Sequence, residues 1–380
     1  MMKRFDCIAV GAGYAGAVFA RCMADAGKSV LVLERRGHIG GNAYDEYDEK
    51  GVLIHKYGPH IFHTNDKEVF DFLSRFTEWN GYMHKVVAKI GEKEIPVPFN
   101  LNSLAATFGE EAQELEALLV EKFGAETKVP IIKLRENGDP ALSRIAEYVY
   151  ENVFLHYTLK QWGMKPEDID PATTARVPVF ISRDDRYFQD VYQGLPTDGY
   201  TPMFKKMLDH ENITVELNVD ARDRLSFGED GVILFDGEPY EGQVVYSGEL
   251  DELFGRKNGA LPYRTLDFEF ESLDCDRYQS HGTVNYTVDM PYTRITEFKH
   301  MTLQECEGTT IVREYSRAAT EGDTPYYAII SPENNAMYKT YADLAARYPN
   351  FHALGRLAEY KYYNMDAIAA RAIALAKELI

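Results

Sequence analysis

The sequence predicts an α/β fold in which a parallel-sheet domain, assembled from separate stretches of chain, carries an inserted helical domain and an antiparallel β-sheet domain. Three observations predict it. The first forty residues hold a strand, a glycine-spaced turn, a helix and a second strand in immediate succession. Residues 99–170 carry apolar positions at helical spacing, and residues 262–315 carry segments that alternate apolar and polar. A late buried-strand pattern, Gln243-Val244-Val245-Tyr246-Ser247-Gly248, can rejoin the first sheet, which makes the parallel domain discontinuous.

In chain order, Phe5 to Val10 reads as a short buried strand, and Gly11-Ala12-Gly13-Tyr14-Ala15-Gly16 follows it directly. A small-residue helix is expected from Tyr14 to Gly27, a residue suited to closing it, and Ser29 to Leu33 reads as the next parallel strand. The glycines sit where a Rossmann-type βαβ unit needs them. Gly11 permits the tight turn, Gly13 lets the backbone approach a pyrophosphate, and Gly16 lets the helix lie close on the strand. The helix N-terminus offers free N–H groups and a partial positive charge to the phosphates. Glu34 lies eighteen residues past Gly16, at the end of the second strand. An acid there binds ribose hydroxyls and repels a 2′-phosphate.

The continuation Glu34-Arg35-Arg36-Gly37-His38-Ile39-Gly40-Gly41-Asn42 resembles the extended fingerprint of FAD-binding flavoproteins, with a basic residue after the acid and a Gly-Gly pair that passes the cofactor. Gly11, Gly13, Ala15, Gly16, Glu34, Arg35, Gly41 and Asn42 are therefore expected FAD contacts. No second GxGxxG occurs later in the chain. Electrons for the flavin are accordingly expected from an external donor.

Further along, Lys67 to Glu78 has helical spacing, and Met83 to Ile90 with Glu94 to Pro98 reads as a hairpin around Gly91-Glu92-Lys93. Ser103 is a candidate N-cap for a helix running to Phe123, and a second long helix is expected from Pro140 to about Gln161. Ile213 to Val219 and Val232 to Phe235 read as strands. Tyr263 to Glu271, Thr283 to Val288, Tyr292 to Phe298 and Thr310 to Tyr315 predict an antiparallel sheet. The C-terminus returns to helix after Asn364, a candidate N-cap. These patterns divide the chain into a Rossmann-type domain (1–80, 197–250 and 345–380), a helical insert (99–170) and a β-sheet substrate domain (81–98, 171–196 and 251–344).

Composition narrows the partners. Sixty acidic against 41 basic side chains give a formal charge of −19 in 380 residues, which argues against nucleic acid or an anionic membrane surface as primary partner. No run reaches the roughly 18 to 20 apolar residues of a membrane span. Lys3-Arg4 before the charge-free run from Cys7 to Ala20 imitates a secretory signal, but Asp6 and three glycines interrupt it. Cys7, Cys22, Cys275 and Cys306 are too dispersed for a redox pair or zinc site, so a cytoplasmic location is expected. The 26 tyrosines are more telling, because a tyrosine can line a pocket that is apolar at one end and wet at the other.

Four further segments narrow the flavoprotein expectation. His55-Lys56-Tyr57-Gly58-Pro59-His60-Ile61-Phe62-His63-Thr64, Tyr157-Thr158-Leu159-Lys160-Gln161-Trp162-Gly163, Pro291-Tyr292-Thr293-Arg294 and Gly355-Arg356-Leu357-Ala358-Glu359-Tyr360-Lys361-Tyr362-Tyr363-Asn364-Met365 resemble bacterial UDP-galactopyranose mutases, in order along the chain. The resemblance implies a redox-neutral ring contraction of UDP-galactopyranose to UDP-galactofuranose on reduced FAD, whose N5 attacks the anomeric carbon and displaces UDP. Members of that family are often homodimers and supply galactofuranose to surface polysaccharide. An amine-oxidase-like FAD oxidoreductase, sharing the N-terminal fingerprint, is the competing expectation.

The resemblance also assigns residues. Arg176 and Arg294 match two substrate arginines, and a planar guanidinium suits a pyrophosphate that must depart and return. Tyr327 and Tyr362 match pyrophosphate contacts. Thr158, Trp162 and Tyr187 match the uridine side, Phe154 and Tyr157 further substrate contacts, Asn285 the nucleotide sugar, and Asn364 a position near flavin or substrate. His60, Ile61, Arg356 and Met365 match FAD contacts, and His63 an aid to the N5 environment. The two histidines lack a third ligand at metal-binding spacing, so no metal is expected. Two positions depart from the family. Arg176-Val177-Pro178-Val179-Phe180 lacks the second arginine of the usual Arg-x-Pro-Val-Arg-Phe loop, and Asn364 stands where many members have Asp.

Overall fold

The strands Cys7–Val10 and Val30–Glu34 are buried almost throughout, as in a parallel sheet covered on both faces. The computed structural model, which describes residues 5–164 and 178–380, places them in a five-stranded parallel sheet. Its order is Ile213–Leu217, Val30–Glu34, Cys7–Val10, Gln243–Tyr246 and Phe351–Ala353. The late strand thus rejoins the first. Successive side chains point to opposite faces. Cys7 and Ala9 pack under the helices Tyr14–Asp25, Tyr200–Leu208 and Met365–Leu379, while Ile8, Leu31 and Leu33 pack with Tyr341, Tyr348 and Tyr360 on the other side. Ala17, Ala20, Ala369, Ala372 and Ala376 are all buried, and their small side chains let the first and last helices lie close together.

Among the described residues, two helices of more than two turns lie outside the expectations. Tyr200–Leu208 buries Tyr200, Met203, Phe204 and Met207 at helical spacing, a signal present in the sequence. Pro332–Ala345 buries only Tyr341 and Ala345, so it has no apolar stripe to betray it; Ser331 caps it by accepting from the Asn334 N–H. Tyr341 and Ala345 pack in the cluster beneath the parallel sheet. The β-sheet domain expected to extend to residue 344 therefore hands its last helix to the Rossmann-type layer.

The helical insert differs in detail. The helix expected from Ser103 to Phe123 is two, Leu101–Phe108 and Ala112–Phe123, because Gly109 takes φ +57° between them. The N-cap is Asn100, whose side chain accepts from the N–H groups of Asn102 and Ser103, while the Ser103 hydroxyl accepts from the Asn100 N–H in a reciprocal capping box. Pro140–Val149, a π-helical stretch Tyr150–Leu155 and His156–Trp162 follow as one nearly continuous rod. Leu104, Leu119, Ile131, Leu142 and Ile145 bury themselves against Val86, Ile95 and Val97 of the hairpin.

The hairpin, Val86–Ile90 and Lys93–Val97, has a two-residue turn where three were expected. It forms one edge of a seven-stranded sheet that continues through Thr283–Tyr286, Arg294–Glu297, Thr309–Ala318, Tyr263–Leu273 and Tyr327–Ala328. That sheet is mixed, not antiparallel throughout, since Thr283–Tyr286 runs parallel to Val86–Ile90. The two strands reach the sheet from opposite sides of a long excursion through the helical insert, so no hairpin constrains them to oppose. Among the described residues no helix is long and apolar enough to cross a membrane.

Candidate active site

A cavity of about 720 Å³ runs from Val10, Gly11 and Glu34, at the C-terminal ends of the parallel strands, to Asn285, Arg294 and Glu314 on the seven-stranded sheet. Ligands of open α/β sheets bind at such strand ends.

The strand-end half is shaped for a dinucleotide. Gly11 has φ +100°, and a Cβ on Gly16 would lie 1.9 Å from the Gly11 carbonyl oxygen. Gly13 is the N-cap of Tyr14–Asp25 and makes no side-chain capping bond, so the first-turn N–H groups face an acceptor site. A Cβ on Gly13 would meet the Gly41 backbone at 3.4 Å, so the Gly-Gly pair closes onto the turn. Glu34 is buried, with Oε2 accepting from the Ala12 N–H at 2.8 Å and Oε1 from the Arg36 N–H at 2.9 Å. Each carboxylate oxygen keeps a lone pair for a ribose hydroxyl. Arg35 pairs with Glu252 at 3.2 Å, whereas Arg36 lies over the Tyr57 ring and donates to Asn42 Oδ1. Ala15, Ile61, Asn364 and Met365 also line the cavity, and Asn364 occupies the N-cap position of the last helix without a side-chain capping bond.

The middle of the cavity holds imidazoles. His60 Nδ1 donates to the Gly58 carbonyl at 2.8 Å, and the His60 backbone N–H donates to His55 Nδ1. Burial pulls both imidazoles down to about 3, so both are neutral near pH 7. His63 Nδ1 lies 2.9 Å from Asp190 Oδ2, and its ring stacks on Phe188. His84 also faces the cavity, and burial pulls it to about 3. No group of three His, Cys, Asp or Glu among the described residues could hold a metal.

The sheet half concentrates cations and phenols. Arg294 stands directly opposite Glu314 on the neighbouring strand and Asn285 on the other, so the three side chains project from one face. Arg294 Nε donates to Glu314 Oε1 at 2.8 Å, and Glu314 is wholly buried. Burial opposes the guanidinium charge, but the Glu314 carboxylate outweighs it and holds the Arg294 pKa well above its usual value. Tyr327 and Tyr362 stack, with Arg356 over both rings at 5.7 and 4.5 Å. Arg356 Nε is anchored on the Tyr363 carbonyl at 2.7 Å. Tyr157 and Tyr187 line the same wall; burial raises the Tyr157 phenol, which stays protonated.

The helix His156–Trp162 is fixed at its C-terminus. Arg264 donates to the Lys160 and Gln161 carbonyls, and Ser316 donates to the latter as well. That grip presents Trp162 to Tyr327 at a ring separation of 5.7 Å, in a small pocket adjoining the main cavity. Thr158 and Phe154 are placed differently. Both are buried in the helical insert and neither lines the cavity; Phe154 packs edge-on to Tyr150. Arg176 lies outside the described residues.

Glu314, Asp190 and His84 were not singled out in the sequence. Glu314 did carry a signal, because strand alternation puts it in phase with buried Val312 and Thr310, where a carboxylate demands a partner. Asp190 carried none, since nothing local ties it to a histidine 127 positions earlier.

Comparison with known proteins agrees along the whole chain. A family model described as UDP-galactopyranose mutase matches residues 152–362, and one described as an NAD(P)-binding Rossmann-like domain matches residues 10–76. A UDP-galactopyranose mutase of Mycoplasma pneumoniae is 36% identical over 388 residues, covering 100% of this chain and 97% of that one. A dTDP-fucopyranose mutase of Escherichia coli is 36% identical over 372 residues, covering 97% and 96%. The crystal structure of a reduced UDP-galactopyranose mutase superposes with TM-score 0.70 at 13% identity, covering 98% of this chain and 95% of that one.

Proposed function

Because the chain belongs to the UDP-galactopyranose mutase family, we propose that it interconverts UDP-galactopyranose and UDP-galactofuranose without net redox change. The observation that carries this is one cavity joining a dinucleotide cradle at Gly11 and Glu34 to a cationic, phenol-lined wall at Arg294, Tyr327 and Tyr362. Reduced FAD, when bound, supplies N5 as the nucleophile for the sugar's anomeric carbon. The Gly11–Gly16 turn and the first-turn N–H groups of Tyr14–Asp25 would hold its diphosphate, Glu34 its ribose, and Gly41, His60 and Arg356 the remainder.

The protein's task is to keep the leaving nucleotide close. Arg294 takes the departing diphosphate with its free guanidinium nitrogens while Glu314 fixes Nε, and the Tyr327 and Tyr362 hydroxyls donate without adding charge. Arg176 is proposed as the second cation. Trp162, beside Tyr327, provides a face for the base. Trp162→Ala is therefore expected to raise the Kd for UDP by about tenfold, in line with ~1–3 kcal/mol for a base on an aromatic ring, and to leave FAD retention unchanged. Fluorescence titration with UDP, set beside the flavin-to-protein absorbance ratio, checks it.

Gly16→Ala is expected to purify largely without flavin. Its new methyl group cannot coexist with the Gly11 carbonyl, so the turn must open. The visible flavin spectrum of the purified variant is the measurement.

The deciding experiment is turnover of UDP-galactofuranose by the FAD-loaded protein before and after dithionite reduction, followed by chromatography. Conversion only in the reduced state is expected, and none in either state would overturn the proposal. The relative acting on a dTDP sugar motivates a parallel assay with dTDP-fucopyranose, and faster turnover of that sugar would reassign the substrate. Steady flavin reduction by an organic substrate would instead favour the oxidoreductase. We place the enzyme in the cytoplasm, as a homodimer served by an external electron donor.

A further inference from the structure

Two short strands, Phe62–Thr64 and Tyr192–Gly194, pair antiparallel with His63 opposite Gln193. The loop entering the second strand is folded back on the first. The Asn65 side chain accepts from the Val191 N–H at 2.9 Å and donates to Asp190 Oδ1 at 2.6 Å, and Gln193 donates to the Asp190 carbonyl at 2.9 Å. Asp190 Oδ2 is thereby aimed at His63 Nδ1 at 2.9 Å. The His63 ring is clamped from its face by Phe188, with centroids 3.6 Å apart and planes within 11°. Its Nε2 has no hydrogen-bond partner among the described residues, and the residue lines the cavity.

We propose that Asp190 is a positioning residue that fixes the Nδ1–H form of His63, so that an unprotonated Nε2 faces the cavity. A carboxylate can only accept, so the bond requires a proton on Nδ1, and a neutral imidazole then carries its lone pair on Nε2. Phe188 holds the plane of the ring, and the contact with Asp190 selects which of its edges is left for the cavity. In this state His63 can take at Nε2 the proton that the 4-hydroxyl loses as the furanose ring closes, and in the reverse direction the imidazolium returns a proton to that oxygen as the furanose opens. The Asp190 carboxylate offsets the imidazolium charge in between. The neighbouring histidines do not share this arrangement. His60 spends its Nδ1 proton on the Gly58 carbonyl, and His84 Nδ1 meets the hydroxyl of Tyr82 at 3.1 Å. His63 is thus singled out by its bond to a carboxylate.

The inference rests on the mutase reading for its chemistry but not for its geometry, and its test separates the two. Nitrogen-15 NMR of histidine-labelled full-length protein, free of substrate, is expected to show His63 as the Nδ1–H tautomer in wild type and as a shifted or mixed population in Asp190→Asn. A wild-type His63 protonated only on Nε2, or an unchanged tautomer in Asp190→Asn, would overturn the proposal whether or not the protein turns over UDP-sugars. In the FAD-loaded reduced enzyme, Asp190→Asn is expected to lower kcat on the order of 10- to 100-fold, with KM within about threefold. It should add little to His63→Ala in the double variant. If KM rises with kcat unchanged, or if the two effects multiply, Asp190 does not act through His63. Asp190→Glu, which keeps the carboxylate, should recover part of kcat, whereas a folding defect would spread to Tm and FAD retention in every variant.

Discussion

Arg294→Ala is expected to lower kcat/KM for the UDP-sugar by about 10²- to 10⁴-fold while the protein still purifies with FAD. Each charge-assisted hydrogen bond contributes roughly 1.5 to 3 kcal/mol net. Two bonds lost to the diphosphate then amount to about 3 to 6 kcal/mol, at ~1.36 kcal/mol per tenfold in rate. A further penalty comes from the residue left behind. Glu314 is wholly buried, and without Arg294 its carboxylate would face an arriving dianion with nothing between them. Arg294→Lys should recover only part of the rate, because an ammonium cannot hold the carboxylate and the diphosphate through one planar fork. Wild-type-like kcat/KM in Arg294→Ala, measured under reducing conditions, would remove Arg294 from the site.

Glu314→Ala is expected to be comparably severe by a different route. Removing one partner of a buried ion pair costs about 3 to 5 kcal/mol. Because Arg294 retains 24% side-chain exposure and some access to water, the low end applies. Thermal or urea unfolding should show that loss, and turnover should fall because Arg294 Nε is no longer held. Glu314→Gln separates the two contributions. It keeps the shape and an acceptor oxygen, so it should fold nearly as well as wild type yet lose at least about tenfold in kcat/KM through weaker charge-assisted orientation. A Glu314→Gln enzyme with unchanged turnover would reduce the pair to a structural role.

These two residues also mark how far the sequence can be read. Arg294 was legible because it sits in a short motif, and motifs survive as local strings. Glu314 stands twenty residues away and becomes its partner only when two strands align in register. The first sheet was legible because Gly11, Gly13, Gly16 and Glu34 each answer a local steric or electrostatic demand within one βαβ unit. The helix Pro332–Ala345 was not, because its burial is confined to Tyr341 and Ala345 and leaves no periodic stripe. The break at Gly109 was missed because apolar spacing continued across it, although a positive φ there ends the helix. Phe154, named from a family motif, is buried in the core of the helical insert within the π-helical stretch Tyr150–Leu155, a packing that only the folded chain displays.

The α/β class, the dinucleotide turn, the discontinuity of the parallel sheet and the family's motifs were determined by the sequence alone, since each rests on neighbours in the chain or on helix and strand periodicity. Tertiary structure alone decided which groups meet, Glu314 with Arg294 and Asp190 with His63, and the mixed direction of the seven-stranded sheet that carries the first pair. Such pairings depend on strand register and on where long connections return, and a shift of one residue in a strand would turn each side chain to the opposite face.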